Sequence, residues 1–344
     1  MSTTDDVNPN PVAMTPSALG LVRERALTFD AAGYRIPAAL TVPTAVASGD
    51  TVPSAILLIP GSLFVDVHGD FPAWNVFPHV YGHLARQLSA RGHVVFRFAK
   101  LGPGTGSVAI DEATASRHRT WATRLLIARA AHQAMRDALI AEQLTPSQTV
   151  FAGHSEGSVV ASQLALAEDA KMFDAVTLLA GPSVGILSIM CEQSPTFAPP
   201  GLAPEYSADI QAAVDLIRAG QPIPADLAAK PAARALGAMD ASGLAYMRDC
   251  DATDPTQLAA EIAQPVLIVQ GGRDGSVPTH HGERLRDARD GHPTVYKYFP
   301  ELQHMFKVLP DGLNPMEAFG LTGETDPRVS AAMDEWIRAL PRRA

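Results

Sequence analysis

Polar and apolar positions along this chain fall into two rhythms. From Arg23 to Phe29 and from Ile36 to Val42 they alternate, as in strands with one solvated face, and Ala32-Gly33 between them reads as the turn of an antiparallel edge hairpin. Beyond residue 50 the alternation stops. Ser54 to Ile59, His93 to Phe98, Gln148 to Ala152, Ala175 to Ala180, Pro265 to Gln270 and Val295 to Phe299 are short, nearly continuous apolar runs. Parallel strands covered on both faces have this pattern. Segments with helical period separate them: Val80 to Arg91, Arg119 to Glu142, Gly157 to Glu168, His281 to Ala288 and Arg328 to Leu340. Strands alternating with helices predict the α/β class, with a mostly parallel, doubly wound sheet and helices on both faces.

Two stretches depart from this order. Residues 1–20 are rich in Ser, Thr, Asp and Pro and predict a loose N-terminal leader. Residues 185–255 are rich in Pro and Ala, with short helical patterns at Ala208 to Ala219 and Leu244 to Arg248 and no convincing strand. An insertion of that length predicts a helical cap over the end of the sheet, with a peripheral helical decoration as the alternative. The expected division is one core, residues 21–184 and 256–344, interrupted by a cap at 185–255.

Composition narrows the function classes. A chain of 344 residues, 47% of them hydrophobic, can bury an extensive core without disulfide or metal staples. A net charge of -9 without a Lys/Arg cluster argues against partners such as nucleic acid or an anionic membrane. Cys191 and Cys250 are too few for a disulfide framework or a tetrahedral zinc site and fit a reducing compartment. The acidic start Met1-Ser2-Thr3-Thr4-Asp5-Asp6 has no apolar core of signal-peptide length, and no apolar run approaches membrane-spanning length. The expectation is a soluble, cytoplasmic protein.

Candidate chemistry begins at Gly153-His154-Ser155-Glu156-Gly157, between the apolar run Thr149-Val150-Phe151-Ala152 and a helical segment. In that context a serine is forced to the tip of a tight strand-to-helix turn with its hydroxyl exposed, and glycines two positions before and after it relieve collisions with neighbouring backbone. A serine hydroxyl needs a base and a carboxylate that orients the base. Downstream, Pro265 to Gln270 runs into Gly271-Gly272-Arg273-Asp274-Gly275, placing Asp274 just past a strand, and His304 follows the last apolar run. Consecutive parallel strands share their carboxyl edge, so both loops open on the same side as the serine turn. Asp251 or Asp254 could supply the carboxylate instead, and His280 or His281 the base.

With Ser, acid and His in that order at strand ends, the chain resembles the α/β-hydrolase superfamily, from about residue 22 to residue 340. Its elbow and its Pro60-Gly61-Ser62-Leu63 turn look closest to the esterase and serine aminopeptidase-like group. The resemblance implies Ser155 as nucleophile, Asp274 as orienting carboxylate and His304 as general base, matching the roles read from the residues. It implies an oxyanion hole from the N–H of Glu156 and a second donor, Ser62 first and Leu63 next. The chain departs from the group at Arg97-Phe98-Ala99-Lys100, where an acid is often third, and at Pro60, where many members carry His.

The implied reaction is cleavage of a small-molecule carboxylic ester through an acyl-enzyme, with no metal and no organic cofactor. An acyltransferase or peptidase would use the same groups, and a ligand-binding protein on a hydrolase scaffold is the reading from another class. Leu187, Met190, Tyr246 and Met247 are candidates to line a hydrophobic acyl or aryl pocket, or else to form the insertion's own core. Gly102-Pro103-Gly104-Thr105-Gly106 lacks dinucleotide-binding spacing, and His79 and His83 lack the glutamate that zinc hydrolysis would use.

Overall fold

The computed structural model describes residues 20–117, 119–167, 172–313 and 318–341. The expected leader falls outside them except for Gly20. Among the described residues the strands are β1 Val22–Ala31, β2 Tyr34–Pro43, β3 Thr51–Val52, β4 Ala55–Ile59, β5 Val94–Phe98, β6 Val108–Ala109, β7 Thr145–Pro146, β8 Thr149–His154, β9 Ala175–Leu179, β10 Val266–Gly271 and β11 Thr294–Phe299. The main sheet runs β1-β2-β5-β4-β8-β9-β10-β11, with β6 attached to β2. β1 and β2 are antiparallel, β2 is antiparallel to β5, and every neighbouring pair from β5 through β11 is parallel. The hairpin and the parallel core therefore occupy the runs the sequence marked.

Alternation along single strands sends residues to two cores. Ala55, Leu57 and Ile59 of β4 face one cluster, which contains Trp121, Ile127 and Met135 of helix Trp121–Ala141 and Val160 and Leu164 of helix Glu156–Ala165. Ile56 and Leu58 face the other, with Val80, Leu84 and Leu88 of helix Val80–Ser89 and Met333, Trp336 and Ile337 of the C-terminal helix Pro327–Ala339. Helices thus cover both faces and leave the carboxyl edge of the sheet to loops.

Between β9 and β10 the chain is helical, with segments Ile186–Phe197, Ala203–Arg218, Ala225–Ala228, Arg234–Gly237, Ala241–Asp251 and Pro255–Glu261. The last of these returns to the main core through Ala259 and Ile262. The others share a separate small core of Leu187, Ile210, Ala213, Val214, Ile217 and Leu236. This corrects the pocket expectation for Leu187: the side chain is fully buried among these neighbours and has no surface left for a ligand. Met190 and Met247 lie partly buried against the same cluster.

Candidate active site

Ser155 stands at the junction of β8 and the helix Glu156–Ala165 with φ 54° and ψ -126°, a conformation that costs strain in a residue with a side chain. Its N–H donates to the Leu179 carbonyl at 2.8 Å, tying the turn to β9. Glycine is needed on either side for close approach. A Cβ on Gly153 would lie 2.1 Å from the Gly157 carbonyl oxygen, and one on Gly157 would lie 2.4 Å from the Ile59 carbonyl oxygen. The Ser155 hydroxyl does not cap the helix it precedes.

Asp274 and His304 meet at the ends of β10 and β11. His304 Nδ1 lies 2.8 Å from Asp274 Oδ2, and Asp274 Oδ1 accepts the Ser276 and Val277 N–H groups, each at 2.8 Å. Carboxylate and imidazole are both buried. The rivals are engaged elsewhere: Asp251 accepts from Leu187 N–H and Arg218, Asp254 caps the helix Pro255–Glu261, and His280 and His281 both face Glu192. The His304 ring rests against the ring of His154, the residue before Ser155, with centroids 4.7 Å apart. No hydrogen bond joins Ser155 to His304 among the described residues; such contacts are often long in a free enzyme and tighten with substrate.

The turn after β4 closes on the serine. A Cβ on Gly61 would sit 3.1 Å from Ser155 Cβ, so this backbone passes directly beside the hydroxyl-bearing side chain. Leu63 adopts a left-handed φ of 69°. Among the described residues the N–H groups of Ser62, Leu63 and Glu156 have no backbone acceptor.

Sequence reasoning missed the charges beneath the elbow. The Glu156 side chain is buried, with Oε1 2.7 Å from Lys100 Nζ, 3.4 Å from Arg124 Nε and 3.1 Å from the Tyr246 hydroxyl, which donates to it. Burial would raise the Glu156 pKa, but Lys100 and Arg124 hold it below the usual carboxylate range. Arg124 also donates to the Pro60 carbonyl at 2.9 Å, so one guanidinium braces both the elbow and the turn after β4. The Tyr246 hydroxyl is thus engaged, its ring packs edge-on to Trp121 and Lys100 Nζ lies over it, while the residue stays partly exposed. The only hint in the sequence was Lys100 at the end of a strand.

Among the described residues one grouping, Glu192, His280 and His281, has metal-ligand types within reach of each other. Its hydrogen bonds oppose metal binding. Ser183 N–H donates to His281 Nδ1 at 3.2 Å, so the neutral ring carries its proton on Nε2, the atom a cation would need. That Nε2 lies 2.9 Å from Glu192 and donates to it, fastening the first inserted helix to the segment following Asp274.

Comparison with solved structures decides the architecture. A Pyrococcus furiosus esterase is 14% identical with a TM-score of 0.55, over 98% of this chain and 100% of its own. The fold is that of the α/β-hydrolases. A puromycin-hydrolysing peptidase from Mycobacterium tuberculosis matches at 18% identity and TM-score 0.55 over 96% of this chain and 41% of its own. A Pyrococcus horikoshii acylaminoacyl peptidase matches at 13% and 0.53 over 95% and 43%. The chain thus spans less than half the length of these two peptidases. No protein-family model and no curated protein matches its sequence. Within the α/β-hydrolase fold, Ser155, Asp274 and His304 occupy the turns after β8, β10 and β11. No helix among the described residues is long and apolar enough to cross a membrane.

Proposed function

We propose that the protein is a serine hydrolase that cleaves a small-molecule carboxylic ester through an acyl-enzyme. The observation that carries this reading is the Asp274–His304 pair, bonded at 2.8 Å and resting at a tilt against the residue preceding a strained Ser155 whose hydroxyl makes no cap bond. Ser155 Oγ attacks the acyl carbon while His304 Nε2 takes its proton, and Asp274 holds the Nδ1–H and with it the ring orientation. The oxyanion forms between the N–H of Glu156 and that of Ser62, with Leu63 as the neighbouring donor. His304 then returns the proton to the departing alcohol, and water repeats the sequence to release the acid. In this reading the inserted helices act as a cap, braced by Tyr246 on Glu156 and by Glu192 on His281.

An acyltransferase or peptidase would need only a different leaving group or acceptor. A panel of nitrophenyl esters, anilides and alcohol acceptors separates the three, with ester turnover expected to dominate. A fluorophosphonate should label Ser155 in the folded wild type and leave Ser155→Ala unlabelled, while Ser155→Ala loses on the order of 10⁶-fold in kcat. A folded wild type with no Ser155 adduct sinks the proposal and favours a ligand-binding role.

A further inference from the structure

The buried imidazole of His154 has no freedom in the direction of its hydrogen bonds. Its Nε2 lies 3.0 Å from the His304 carbonyl oxygen, which can only accept, so Nε2 carries a proton. Burial, helped by the neighbouring His304, pushes its pKa down to about 3, so at neutral pH it has one proton and Nδ1 must accept. The group 3.1 Å from Nδ1 is the Tyr81 hydroxyl, which therefore donates. Burial also raises the Tyr81 pKa, keeping that proton in place. The Tyr81 oxygen in turn accepts the Gly61 N–H at 2.7 Å. One directional chain thus runs from Gly61 through Tyr81 and His154 to His304, with both side chains buried.

The ends of this chain are not arbitrary. Gly61 is the residue before Ser62, whose N–H is the expected second oxyanion donor; His154 is the residue before Ser155; and the final acceptor is the backbone of the base itself. Gly61 and His304 come from the loops after β4 and β11, His154 is the last residue of β8, and Tyr81 lies in the first turn of helix Val80–Ser89. No local sequence signal holds them together.

We propose that Tyr81 and His154 are positioning residues that keep the oxyanion turn and the His304 loop in register on either side of Ser155. The inference rests on the hydrolase reading above. Neither side chain touches substrate in it. Their effect is on the alignment of donors and base at the moment charge develops, where a displacement near 1 Å can cost on the order of 10²-fold.

The test compares wild type, Tyr81→Phe, His154→Gln and the double variant, with rates normalised to sites titrated by a fluorophosphonate so that unfolded protein is not counted. Tyr81→Phe should lower kcat on the order of 10²-fold while KM moves by less than about threefold. Affinity for a trifluoromethyl ketone, which adds Ser155 Oγ to its carbonyl carbon and places the resulting oxyanion between the same donors, should fall in parallel. The double variant should lose little more than the worse single one, because either change breaks the same chain. A normal kcat per titrated site in Tyr81→Phe, a loss confined to KM, or additive losses would overturn the proposal. If Tyr81→Phe does not fold, His154→Gln is judged by the same two readouts. A wild type that takes no label on Ser155 would instead remove the hydrolase reading itself.

Discussion

An alanine at Gly157 would bring its Cβ to 2.4 Å from the Ile59 carbonyl oxygen and 2.6 Å from that of Pro60, both rigid backbone. Something must shift, and what shifts is the contact between the elbow and the turn that should hold the oxyanion. Gly157→Ala is therefore expected to cost about 1–3 kcal/mol of stability and to slow fluorophosphonate labelling of Ser155, measured by urea unfolding and by label uptake. This constraint was legible because it is local: the spacing of five consecutive residues reveals it. The Glu156 network was not, since Lys100 lies 56 positions from Glu156 and no periodicity relates them. Glu156→Gln leaves Lys100 and Arg124 buried without their counter-charge. The expected loss is roughly 3–5 kcal/mol, read as a lower urea midpoint at unchanged slope. A midpoint within experimental error of wild type would show that the two cations are hydrated.

At the scale of elements, strands buried on both faces were readable because their environment is uniform: every residue from Ala55 to Ile59 must be apolar, so the run marks the strand. The inserted helices offer no such signal. Ile186–Phe197 contains Pro195, a residue that argues against a helix interior, and its apolar residues serve a core that exists only when helices far apart in sequence meet. Apolar side chains in an insertion are equally suited to lining a pocket and to packing on one another, and at Leu187 the packing prevails. Leu187→Ala should then cost about 2–5 kcal/mol in the stability of the insertion while leaving the chain-length preference toward esters unchanged. Chain-length profiles of the variant and wild type provide the check; a selective shift toward longer acyl groups would return Leu187 to the pocket.

Across the whole molecule, depressed histidine pKa values determine the response to acid. Burial pushes His83 and His154 down to about 3 and His68 to about 4, and it lowers His93 and His281 as well. In the unfolded chain the same groups titrate near 6.5. As pH falls through 6.5 the unfolded state takes up protons that the folded state refuses, so stability present above pH 6.5 drains away below it. Each histidine steepens the fall by up to about 1.4 kcal/mol per pH unit. Asp66 opposes them, because burial and the nearby Asp70 raise its folded pKa to about 6 and acid therefore favours its folded form, but it is one group against five. Carboxylates held below their usual range, such as Glu156, act only at lower pH, which isolates the window between pH 6.5 and 5. His83 is the cleanest probe: Thr325 N–H donates to its Nδ1 at 3.4 Å, fixing a neutral ring that the proposed mechanism does not use. The urea midpoint should hold above about pH 7 and drop between pH 6.5 and 5, with a smaller drop in His83→Gln. An identical drop in that variant would remove His83 from the acid response, and a flat wild-type profile would remove all five.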